Sequence, residues 1–146
     1  MFRILVLLSL SLLLLSACGA PGQQIRKSLE EYPQQYRQFD AQLAWRITPA
    51  GAESLIDGVL KNVRYYEMNE LEIWVFTLDA SGHETNRAVS FVSRLKEQEL
   101  GSFRLTIPRV STGQHLRFIY RYRPNEGGDR YDQSTPWLQS FDVTVP

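Results

Sequence analysis

From Leu43 onward, apolar and polar residues alternate with a period of two in run after run, and this pattern constrains the fold more than any other feature. Trp45 and Ile47 alternate with Arg46 and Thr48 ahead of a Pro49-Ala50-Gly51 turn. A second run covers Leu55 to Val63. The third, Leu71 to Leu78, puts Trp74, Phe76 and Leu78 on one face and Leu71, Ile73 and Val75 on the other, which predicts a strand buried on both sides or crossing the core. Asp79-Ala80-Ser81-Gly82 then makes a tight turn. Further runs follow at Ala88 to Val92, Phe103 to Ile107, Leu116 to Arg123 and Trp137 to Val145. About seven short strands with turns every ~8–12 residues predict an all-β sandwich or barrel over residues 42–146.

The amino terminus obeys a different logic. Met1, Phe2 and Arg3 precede an apolar run from Ile4 to Leu15, then Ser16, Ala17 and Cys18. The run is too short to span a bilayer, which needs ~20 residues, and has the build of a secretory signal over residues 1–17. Leu15-Ser16-Ala17-Cys18 resembles the bacterial lipobox, in which an aliphatic residue and two small ones precede a cysteine. That resemblance implies cleavage before Cys18, a diacylglyceryl group on its thiol and acylation of its new amine. Several acyl chains at ~0.8 kcal/mol per CH₂ anchor stably where one would be marginal. Gly19, where an Asp would favour inner-membrane retention, implies delivery to the outer membrane, facing the periplasm, if the host is Gram-negative. Residues 18–41 are expected to form a lipidated tether. Ile25, Leu29 and Tyr32 at helical spacing, with a Ser28/Glu31 capping box, predict a short helical stretch ended by Pro33.

The expected mature chain of 129 residues suits one domain. It holds fifteen basic and sixteen acidic side chains, a balance that argues against nucleic acid as a partner. Cys18 is the only cysteine, so no disulfide is available and core packing alone must hold the fold.

Asp57 to Asn62, Leu71 to Gly82 ending Phe76-Thr77-Leu78-Asp79-Ala80-Ser81-Gly82, and then Leu95 and Gly101-Ser102-Phe103 resemble the FxLYD-type domains over about half of the mature chain. No Tyr stands between Leu78 and Asp79, where that pattern has one. The resemblance implies an immunoglobulin-like β-sandwich and a non-catalytic accessory module of bacterial envelope proteins.

The candidate sites are few. His83 and His115 sit beside different turn glycines, a poor metal set without further ligands, and no metal or other cofactor is expected. Nucleophilic catalysis needs a serine with a base and an orienting acid, and there is no Gly-x-Ser-x-Gly elbow; no catalytic residue is assigned. Arg117, Arg121 and Arg123 line one face of a single strand. They form either an anion- or partner-binding stripe or a solvated face balanced by acids on a neighbouring strand. Tyr131 and Trp137 flank the longest polar loop, where they either stack on a sugar or peptide or tuck into the core edge. The expected function is therefore a membrane-anchored accessory or protein-interaction module engaging an envelope protein. The alternatives are a carbohydrate- or peptide-binding module and, behind it, a small hydrolase, which would need a cleft with convergent acids or a Ser–His pair.

Overall fold

The computed structural model describes residues 28–127 and 135–146. Among these residues there are eight strands: β1 (Gln34–Arg37), β2 (Ala41–Ala50), β3 (Glu53–Asn62), β4 (Glu67–Leu78), β5 (Glu84–Val92), β6 (Leu100–Pro108), β7 (His115–Asn125) and β8 (Trp137–Thr144). They form two four-stranded antiparallel sheets, ordered β1-β2-β3-β6 and β5-β4-β7-β8. The chain crosses between sheets after β3, β5 and β6, the connectivity of an immunoglobulin-like sandwich.

Alternation builds the core directly. Ile56 and Leu60 of β3, Phe103, Leu105 and Ile107 of β6, Leu71, Ile73 and Val75 of β4, and Leu116, Phe118 and Tyr120 of β7 are all buried between the sheets. Trp45 meets Phe118 at 4.8 Å between ring centroids, and Phe141 stacks on Phe118 at 5.3 Å. Gly58 of β3 has no room for a side chain: a Cβ there would lie 2.4 Å from the Ala44 carbonyl oxygen and 2.6 Å from Phe103 Cζ. The close approach of strand and ring is what this glycine permits.

Two expectations change. Residues 28–41 are part of the sandwich rather than a tether. A single 3₁₀ turn at Leu29–Glu31 keeps the expected capping box, with Ser28 N–H donating to Glu31 Oε1 at 2.8 Å. After Pro33 the chain becomes β1, an eighth strand on the edge beside β2. The physical reason is Tyr36, the one bulky apolar side chain of β1, which stacks on Phe141 at 3.6 Å. The second change concerns β4. Leu71, Ile73 and Val75 face the core, but Trp74 and Phe76 lie on the outer surface of their sheet, half-buried against each other and under Arg87. No second layer of protein covers them among the described residues.

Candidate interaction surfaces

The arginine stripe lies on the outer face of β5-β4-β7-β8, and strand register places acids beside it. Arg117 pairs across β8 with Asp142, its Nε and Nη2 donating to the two carboxylate oxygens at 2.8 and 2.9 Å. Glu84 lies 3.5 Å away on its other side. Arg117 holds the Asp142 carboxyl below its ordinary range, outweighing the opposite pull of desolvation. Arg121 donates to Glu72 of β4 at 2.7 Å, and Trp74 Nε1 donates to the other oxygen of Glu72 at 2.9 Å. Burial pushes Glu72 upward, but these two donors prevail and leave it lowered. Arg123 Nε donates to Glu70 at 2.8 Å. Glu70 sits at φ 50, inside the irregularity that interrupts β4–β7 register between Asn69 and Glu72. Each arginine of the stripe is thus engaged by a carboxylate.

Between these ion pairs the same face is apolar. Trp74 and Phe76 stack at 6.3 Å, Val89 and Ile119 flank Trp74 in register, and Phe91 and Leu138 stand at the two edges. A shallow groove runs over β7 and β8 beside Ile119, Ser140 and Phe141. Exterior sandwich faces are ordinarily polar, and the large apolar side chains set this one apart.

A second cluster forms at the end of the sandwich where the β1–β2, β3–β4 and β7–β8 connections meet. Trp137, at the start of β8, packs edge-on against Phe39 at 5.6 Å and remains 42% exposed. Phe39 and Tyr65 are 51% and 65% exposed. The Arg64 guanidinium lies 5.5–5.7 Å from the rings of Phe39, Tyr65 and Tyr66. Tyr65 OH donates to Glu126 at 3.0 Å, an interaction that raises the phenol's pKa. Beneath this rim lies a wholly buried carboxyl, Asp40, which accepts from Tyr120 OH at 2.6 Å and from Tyr122 OH at 3.0 Å; Tyr66 OH is 3.0 Å from Tyr122 OH. Burial, first, and this network push both core tyrosines far above their ordinary pKa. Sequence reasoning missed Phe39, Arg64, Tyr65 and Asp40. Their one signal was aromatic residues placed directly beside turns.

His83 contacts Asp79 within the β4–β5 turn, and His115 contacts Thr144. Among the described residues no three His, Cys, Asp or Glu side chains group to hold a metal ion. Cys18 and Tyr131 lie outside the described residues. No described helix is long and apolar enough to cross a membrane.

No protein-family model and no curated protein matches the sequence. Solved structures do resemble the fold. The GAE domain of GGA2p from Saccharomyces cerevisiae superposes with a TM-score of 0.53 at 11% identity, covering 77% of this chain and 96% of that one. A DUF4426 family protein from Pseudomonas aeruginosa PAO1 gives a TM-score of 0.40 at 15% identity, covering 77% and 96%. At such identity the first likeness speaks for the β-sandwich fold alone, and the second carries no further argument.

Proposed function

We propose that the chain is a lipid-anchored, non-catalytic accessory module that meets an envelope protein through the outer face of β5-β4-β7-β8. The anchor rests on the signal-like segment and on Leu15 to Cys18. The observation that carries the interaction role is the apolar ground between the ion pairs, with Phe91 72% and Leu138 55% exposed at its edges. A contiguous apolar patch on an otherwise polar outer face supports a contact role. The arginines of the stripe frame this surface and set partner choice through complementary charge more than affinity.

The test is co-isolation from detergent-solubilised envelopes with the full lipidated chain and with Ile119→Lys. The reading expects one stoichiometric protein with the wild type and its loss in the variant. Equal capture by both chains would contradict it. A second reading, capture of a carbohydrate or peptide, is favoured by the exposure of Phe39, Tyr65 and Trp137 around Arg64. It expects ligand-dependent quenching of tryptophan fluorescence that disappears in Trp137→Phe, and no such quenching if the partner face is the whole story.

A further inference from the structure

We propose that the protein partner of this face is a second copy of the same chain, packed sheet to sheet about a two-fold axis that runs parallel to the strands between β4 and β7. The inference rests on the interaction role proposed above and names its partner.

The argument is geometric. Register sets the outer face in rows that cross all four strands. A two-fold axis lying in the interface and parallel to the strands lays β5 on the copy's β8 and β4 on the copy's β7. In the first row, Phe91 then faces the copy's Leu138, and Glu72 faces the copy's Arg121. Because Glu72 and Arg121 already pair at 2.7 Å within one chain, the two pairs close into a ring of alternating charge. In the middle row Trp74 meets the copy's Ile119. In the third row Arg87 meets the copy's Asp142, and Phe76 meets the copy's Arg117, a cation over a ring. Arg87 is suited to this: it lies 5.8 Å over Trp74 and joins no ion pair among the described residues. Opposite charges meet in the first and third rows, apolar pairs meet in the first and second, Val89 meets the copy's Ser140, and like charges meet in none.

The alternative two-fold, perpendicular to the strands, does the reverse. It sets Arg121 against the copy's Arg117 and buries Glu72 on the copy's Phe76. Like charges facing across an interface are penalised, so charge pattern selects the parallel axis. The arrangement is isologous, closes on itself and stops at two copies. Four strands at ~4.8 Å spacing and three outward residues per strand give a flat patch of ~19 Å by ~20 Å. That is below the ~800 Å² per partner of a standard interface, which places the dimer among weak, reversible ones.

Sedimentation equilibrium tests it, using residues 18–146 with Cys18→Ser, a chain that contains every strand of the sandwich. The wild-type face should show a monomer–dimer equilibrium. Phe91→Glu and Leu138→Lys, both at exposed edge positions, should each weaken it at least about tenfold. An equimolar mixture of these two variants should associate again: the mixed dimer holds one native Phe91–Leu138 contact and one in which the introduced carboxylate meets the introduced ammonium. A monomer at all concentrations, variants that associate like wild type, or a mixture that fails to recover would each overturn the proposal. A monomer whose Ile119→Lys variant still loses a different co-isolated envelope protein would overturn the self-association while leaving the interaction role intact.

Discussion

The hydroxyl of Tyr120 donates to Asp40 Oδ1 at 2.6 Å, joining the β1–β2 turn of one sheet to β7 of the other through the interior of the sandwich. Tyr122, two residues on, supplies the second carboxylate oxygen with a donor at 3.0 Å. Asp40 has no ion-pair partner among the described residues, so these hydroxyls are what make its burial tolerable. Removing it strands the buried Tyr120 hydroxyl and leaves Tyr122 OH only the Tyr66 hydroxyl to donate to. Asp40→Ala should lower unfolding stability by about 3 kcal/mol, and Asp40→Asn, which keeps an acceptor, by about 1–2 kcal/mol. Urea denaturation midpoints at constant slope would show the order. Equal losses for the two variants would mean that a neutral acceptor at this position gives the tyrosine hydroxyls no support.

Gly58 should tolerate nothing larger. Its missing Cβ would meet the Ala44 backbone, which cannot move aside, as well as Phe103. Gly58→Ala is expected to cost about 3 kcal/mol. At Gly51, where φ is +65 but the surrounding space is open, alanine should cost only about 1 kcal/mol. Thermal unfolding of the two variants side by side checks the contrast, and a Gly58→Ala protein as stable as Gly51→Ala would refute the close approach.

Acid should erode the outer face of the second sheet. Asp142 and Glu72 both have depressed carboxyl pKa values in the folded state. Their contribution is therefore complete above the ordinary carboxylate range and is lost as pH falls through the depressed values, from about pH 5 downward. Stability measured over that window should decline less steeply in Asp142→Asn than in the wild type. The effect will be small, because the ion pairs are partly exposed. An unchanged slope would show that Arg117 gives Asp142 no net support.

Cys18→Ala should abolish incorporation of a radiolabelled fatty acid and leave the protein unprocessed or free of the membrane. The intact mass of the wild-type mature protein should begin at an acylated Cys18. Continued labelling of the variant would remove the anchor from the account.

Much of the fold was legible because a half-buried strand writes its burial into every second residue. Phe103, Leu105 and Ile107 are buried as their spacing demands, and Asp79 to Gly82 turns where its residue types require. What was not legible is what depends on partners distant in sequence. β1 is Gln-Gln-Tyr-Arg, too polar to read as a strand, and is held by Tyr36 against Phe141. Asp40 reads as an ordinary turn residue because its donors lie 80 and 82 positions away. The arginine stripe could be read from β7 alone, but its acids come from β4, β5 and β8. Trp74 and Phe76 read as core because alternation cannot distinguish a second covered face from an apolar face left outside.

The most direct measurement of which face meets a partner is photo-crosslinking in living cells. A photoreactive residue is placed in turn at position 91, on the outer face of β5, and at position 104, exposed on the outer face of the other sheet. The account predicts a discrete crosslinked protein product from position 91 and none from position 104. Products from position 104 alone, or equal products from both, would contradict it.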